Sequence, residues 1–188
     1  MELTRRDAAA ALAALGASGG VALGARFAAD RGREGDEELG ADGTADEPST
    51  GDETVRETLT AVASVVYPSD VTGVDEFVEG FLAGRLDGSA HATGLREAVA
   101  ELNHLANSWH GAPVVDLDPA DRDRLLREVG ADEADEDPDG TTAERVRYYV
   151  VNELLLALYA SPTGGELVGI ENPQGHPGGA ESYRRGPR

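Results

Sequence analysis

Five stretches of this chain repeat their apolar residues every three or four positions, and none alternates them. Residues 54–66 carry Val55, Leu59, Val62 and Val66, and Pro68 then stops the pattern. Residues 74–86 carry Phe77, Val78, Phe81 and Leu82, with Asp75 and Glu76 near the start, where acids suit a helix dipole. Residues 95–109 place Leu95, Val99, Leu102, Leu105 or Ala106, and Trp109 on one stripe. Residues 118–129 open with Asp118-Pro119, a capping residue followed by proline at the first helical position, and bury Leu125, Leu126 and Val129. Residues 142–160 are apolar nearly all round: Val146, Tyr149, Val150, Leu154, Ala157 and Leu158 face inward, and Leu155, Leu156 and Tyr159 sit on adjoining faces. Such a helix is central or is covered by a partner. The spacing predicts an all-α fold, a compact bundle of about five helices with no sheet.

The ends of the chain differ from this middle. Thr4-Arg5-Arg6-Asp7 precedes a nearly uncharged run of Ala, Leu, Gly and Val over residues 8–25. A charged segment followed by a weakly apolar one is the order of an export signal, and the adjacent Arg5 and Arg6 are the twin-arginine pattern, read by a translocase that exports folded proteins. The run shows no polar face at helical spacing and contains Gly16, Gly19, Gly20 and Gly24, which argues against an amphipathic or buried helix. Small residues at Ala22, Gly24 and Ala25, or at Ala28 and Ala29, offer cleavage sites, and cleavage is favoured over a retained anchor. The expected location is therefore the cell surface, membrane-associated, or the extracellular space. Gly16-Ala17-Ser18-Gly19-Gly20 matches a hydrolase nucleophile pattern only formally, since no strand precedes it.

Residues 30–53 hold ten acids and two Arg among Gly, Ser, Thr and Pro. Such a tract cannot bury enough surface to offset its ordering entropy, so it reads as a disordered acidic linker. The chain thus divides into four regions: signal 1–29, linker 30–53, helical domain 54–160 and a tail, 161–188. The tail has seven Gly and four Pro, and its three acids and three Arg cancel. With Leu167, Val168, Ile170 and Tyr183 as spaced anchors, it reads as an extended segment suited to lying along another protein.

Charge and chemistry narrow the function. The chain has 36 acids against 16 basic residues, a net charge of -20, no cysteine, and every basic residue is Arg. The lack of Cys excludes disulfides, thiolate metal sites and lipid attachment to a leader Cys. An acidic, Lys-free surface suits a salt-rich environment, where screening acts within roughly 3 Å at about 1 M, and it disfavours nucleic acid. His91, His104, His110 and His176 read as surface or helix-end residues; His104 and His110 are not at the spacing that places two ligands on one helical face. Asp135-x-Asp137-x-Asp139-Gly140 begins a calcium-loop pattern, but Val146 stands where the final carboxylate belongs and Pro138 interrupts the loop. An acidic loop is preferred, with 141–144 capping the last helix. Glu153, beside Asn152 in the apolar helix, is either on an exposed strip or paired with an Arg such as Arg56 or Arg85. No metal site, cofactor site or catalytic constellation is expected in this chain.

Read in order, Leu59-x-x-Val62-x-x-x-Val66-Tyr67-Pro68-Ser69-Asp70, Tyr148-Tyr149-x-x-Asn152-Glu153, Tyr159-x-Ser161-Pro162-x-Gly164-x-Glu166-x-x-Gly169-x-Glu171-Asn172-Pro173 and Gly178-Gly179-x-x-Ser182-Tyr183 come after the twin-arginine leader. This order resembles the gluconate 2-dehydrogenase subunit 3 family, from the leader to Tyr183 and most weakly over 87–140. The resemblance implies a non-catalytic accessory subunit without a cofactor of its own. Its partners would be a large subunit carrying FAD, in some complexes a cytochrome c subunit with haem, and the twin-arginine translocase, through which it escorts the large subunit and which it helps to stabilise. On this reading Tyr149, Asn152, Glu153, Tyr159, Pro162, Gly164, Glu166, Glu171, Asn172, Pro173 and Tyr183 bind the partner, and Arg5 and Arg6 serve export. The residues alone also allow an exported stand-alone surface or solute-binding protein, or a small metal-binding protein.

Overall fold

The computed structural model describes residues 1–19 and 51–169, with side chains described from residue 1 to 15 in the first segment. Most of the acidic linker, the proposed cleavage positions, and the tail beyond Gly169, with Glu171, Asn172, Pro173, His176 and Tyr183, lie outside the described residues.

The helices are α1 (Arg5–Gly19), α2 (Asp52–Val66), α3 (Val74–Leu82), α4 (Ala90–His110), α5 (Pro119–Val129), α6 (Thr142–Val146), α7 (Asn152–Ala160) and α8 (Pro162–Leu167). A 3-10 turn, Val114–Asp116, precedes α5, and a π-helical turn, Arg147–Val151, joins α6 to α7 into one rod. Among the described residues there is no sheet, only an isolated bridge between Glu2 and Thr72. The five expected helices are all present, and no helix among the described residues is long and apolar enough to cross a membrane.

Local chemistry sets the helix ends. Asp118 caps α5 by accepting from the Asp121 amide, with Pro119 in the first turn. Thr141 and Glu144 form the expected capping box at the start of α6, where Glu144 Oε2 accepts from the Thr141 amide and hydroxyl, both at 2.7 Å. Two starts lie earlier than the periodicity suggests. Ser89, accepting from the Ala92 amide, opens α4 at Ala90, and α2 takes Asp52 and Glu53 from the linker because Arg96 holds the Asp52 carboxylate at 2.7 Å.

Phe77, Phe81, Leu59, Leu82, Leu95, Leu102, Leu125, Leu154 and Leu158 are almost fully buried and form the centre. Two placements differ from the sequence reading. Trp109, expected on the buried stripe, is 49% exposed: α4 ends one residue later, at His110, and Gly111 then turns the chain away in a left-handed conformation (φ 78°). The tail does not begin extended: residues 162–167 are α8, capped by Ser161, whose hydroxyl accepts from the Gly164 amide at 2.9 Å.

A third difference lies at the N-terminus: the run read as arguing against a buried helix forms α1 and is part of the core. Helix α1 packs on α3, α7 and α8, and Leu3, Ala8 and Ala11 are buried. The fully buried apolar positions within α1 are the alanines Ala8 and Ala11, while Leu12 and Leu15 are only half-buried, so the run shows no helical hydropathy stripe although one of its faces is hidden.

Candidate partner-binding face and its buried support

The rod α6–π–α7 organises the candidate residues. In the π turn the Asn152 amide donates to Arg147 five residues back. The extra residue in that turn shifts the facing of the residues after it, as π turns do. Tyr149 is buried against Gly94 of α4, where no side chain would fit. Asn152 points to the acidic loop, with its amide donating to Glu136. Glu153 points inward and is 3% exposed.

A buried carboxylate needs compensation. Arg85, in the turn three residues after α3, supplies most of it: Nε donates to Oε1 at 2.5 Å and Nη2 to Oε2 at 2.9 Å. His91, in the first turn of α4, brings Nε2 to 3.4 Å from Oε2 and 3.3 Å from Arg85 Nη2, so its tautomer decides whether it donates to the carboxylate or accepts from the guanidinium. Burial pushes the Glu153 pKa up, but hydrogen bonds from His91 and Arg85 and the Arg85 charge outweigh it, and the carboxyl is held below its ordinary value.

Aromatic rings surround the cluster. Arg85 lies over the Phe81 ring at 5.5 Å, and the His91 ring sits 5.4 Å from that of Tyr149 and 6.3 Å from that of Tyr148. Below it, the Tyr67 hydroxyl donates to the Leu154 carbonyl at 2.9 Å; burial, and then the Glu153 charge, raise its pKa. Every charge in this cluster has a partner. Its chemistry is that of a clamp tying α3, α4 and α7, since no polar atom of Glu153 is left over to act on a substrate.

The sequence-derived candidates among the described residues therefore fall into three groups, interior, half-buried and exposed. Tyr149, Glu153 and Gly164 are interior; a Cβ on Gly164 would overlap the Leu158 carbonyl. Of the two arginines weighed for Glu153, Arg85 is the partner, while Arg56 pairs with Glu53 on its own helix at 3.6 Å. Pro162 opens α8 and is half-buried, as is Asn152. Tyr159 and Glu166 are exposed. One helical turn before Tyr159 (46% exposed) lies Leu156 (47%), and Val168 (51%) comes directly after α8. Leu156 and Tyr159, three residues apart, share one exposed face of α7, and Val168 is exposed just past α8. Arg5 and Arg6 are exposed as well, and Arg5 is loosely paired with Glu76 and Glu79 at 3.8 and 3.6 Å.

Elsewhere, a groove of about 820 Å³ between α2 and α3 is lined by Arg56, Glu57, Glu79 and Arg122 among others. Its lining mixes acids with Arg, and the Arg122 guanidinium is spent on the Val114 and Val115 carbonyls and the Ser64 hydroxyl. His110 pairs with Glu128 at 3.0 Å, and His104 is exposed on α4. In the acidic loop, Asp137 accepts from the Asp139 amide, and Glu144 is engaged in its capping box. Among the described residues no group of three or more metal-ligating side chains comes together.

Sequence reasoning missed His91 as a third member of the Glu153 cluster, and missed Asp7 and Thr163, which join the two ends of the chain. Only Asp7 had a readable signal, the spacing Thr4-x-x-Asp7 of a capping box: the Asp7 carboxylate accepts from the Thr4 amide at 2.9 Å and the Thr4 hydroxyl at 2.6 Å.

The model of one protein family, described as gluconate 2-dehydrogenase subunit 3, matches residues 53–178. No curated protein and no solved structure matches the chain.

Proposed function

The chain belongs to the gluconate 2-dehydrogenase subunit 3 family, and we propose that it is the non-catalytic small subunit of an exported, membrane-associated, flavin-dependent dehydrogenase. In this role it escorts a larger flavoprotein through the twin-arginine pathway and stabilises it. FAD belongs to that partner, and haem to a cytochrome c subunit where one is present.

The observation that carries the reading is the exposed apolar pair Leu156 and Tyr159 on one face of α7, followed by exposed Val168 after α8. Large apolar side chains grouped on a surface mark a contact site, and the family match runs through this region and on into the tail. The support beneath it, the Glu153 clamp, fixes the rod that presents Leu156 and Tyr159, so the face is rigid before a partner arrives. Rigid presentation lowers the ordering cost of association.

The test is affinity purification of the full-length chain from cells that export it. The expected result is a co-purifying flavoprotein with a flavin absorbance spectrum, and the Arg5→Lys, Arg6→Lys double variant retaining both proteins inside the cell. Recovery of the chain without an oxidoreductase would overturn the subunit reading. Normal export of the flavoprotein with the double variant would overturn the escort role.

A further inference from the structure

We propose that the helical domain is the receptor for its own twin-arginine segment, and that helix α8 is the latch that holds the segment down. The proposal rests on the export reading of Arg5 and Arg6 for its biological meaning, and on packing for its physical content.

The receptor surface is shaped for this segment. Residues 1–3 lie beside the α2–α3 connection, where the Leu3 amide donates to Thr72 and the Thr72 amide to Met1, both at 2.7 Å. Gly73, in a left-handed conformation (φ 74°), lets the Leu3 backbone approach where any side chain would overlap it. Farther along, a Cβ on Gly80 would sit 3.1 Å from Ala8 Cβ, and one on Gly84 would sit 2.6 Å from Leu12 Cδ2. Gly80 is interior to α3, where glycine destabilises a helix by roughly 0.5–1 kcal/mol relative to alanine. The close approach of Ala8 accounts for its presence. Leu3, Ala8 and Ala11 thereby become buried.

Docking divides the segment's recognition features. Arg5 and Arg6 stay in solvent, while part of the apolar run that must accompany them in an export signal is hidden. A translocase meeting the docked form finds the arginines without a free apolar run. Release of α1 is therefore required before export.

What holds α1 is a contact with the root of the tail. Asp7 Oδ2 is occupied by Thr4, and Oδ1 accepts from the Thr163 hydroxyl at 2.7 Å and the Thr163 amide at 3.3 Å. The Thr163 hydroxyl also lies 3.5 Å from the Glu2 carbonyl. Thr163 is in α8, shortly before the exposed Glu166 and Val168. A partner that draws α8 toward itself removes the donors from Asp7 and frees the leader, so that partner binding precedes export.

Amide hydrogen exchange on the full-length chain tests this. Residues 8–15 of the unaltered protein are expected to be protected. Thr163→Val, which keeps the shape and removes the hydroxyl, should speed their exchange by about tenfold or more, the scale of a lost hydrogen bond to a charged group. Thr163→Ser should restore protection, and Gly80→Leu should release α1 without touching the hook. Exchange at unprotected rates in the unaltered chain, or no response to Thr163→Val, would overturn the latch. The export reading fails separately, if Arg5→Lys with Arg6→Lys leaves secretion unchanged; the exchange results do not depend on it.

Discussion

Asp7 and Thr163 stand 156 residues apart in the chain and share a hydrogen bond of 2.7 Å. Through it the N-terminal helix and the root of the tail, the two ends on which export and partner binding are placed, become neighbours. The central helices supply the frame between them.

The clearest prediction concerns Glu153. Arg85→Ala leaves its buried carboxylate without its main partner and should destabilise the fold by about 3 kcal/mol, the low end for a buried pair because Arg85 still touches solvent. Replacing both members, Arg85→Met with Glu153→Leu, should recover most of that loss. Urea denaturation of the two variants measures the difference.

The same carboxylate sets an acid limit. Its folded pKa lies below the ordinary value of 4.5, so its contribution to stability is complete above about pH 4.5 and is lost as pH falls through the folded value. Melting temperature plotted against pH should therefore fall more steeply below pH 4.5 for the unaltered chain than for Glu153→Gln.

Leu156 and Tyr159 should behave in the opposite way. Because both face solvent, Leu156→Asp with Tyr159→Asp should change stability by no more than about 0.5 kcal/mol per site. Capture of the flavoprotein should nevertheless fall sharply. Equal loss of folding and of capture would show that these residues pack rather than bind.

Gly164 offers a steric test. A Cβ there overlaps the Leu158 carbonyl, so Gly164→Ala should displace α8 and cost about 1–3 kcal/mol, the range for overpacking. Thermal unfolding reads it directly.

Salt is the last lever. A net charge of -20 repels itself in dilute buffer and is screened within roughly 3 Å at about 1 M salt. The melting temperature should rise as potassium chloride is raised from about 0.1 to about 2 M, mostly over the first part of that range.

The helices were legible because a buried stripe on a helix repeats locally. Val55, Leu59 and Val62, or Phe77, Val78 and Phe81, declare their inward face within two turns, and Asp118-Pro119 and the Thr141–Glu144 box declare where helices begin. Trp109 was misplaced because the stripe says which face is inward but not whether a neighbour covers its last turn. In the candidate site, Arg85 as a partner of Glu153 was one of two readable options, and Tyr159 was recognised as lying off the main buried face. His91 was not recognised, because its role depends on where the first turn of α4 lands against α7.

By itself, then, the sequence determined the helical class, the central bundle, the order of motifs that marks the family and the contrast between acidic middle and near-neutral ends. Those are properties of composition and of neighbours three or four residues apart. Tertiary structure alone decided that Ala8 meets Gly80, that Leu12 meets Gly84 and that Asp7 meets Thr163. Small residues in contact leave no hydropathy stripe, and a hydrogen bond between the two ends of a chain has no period.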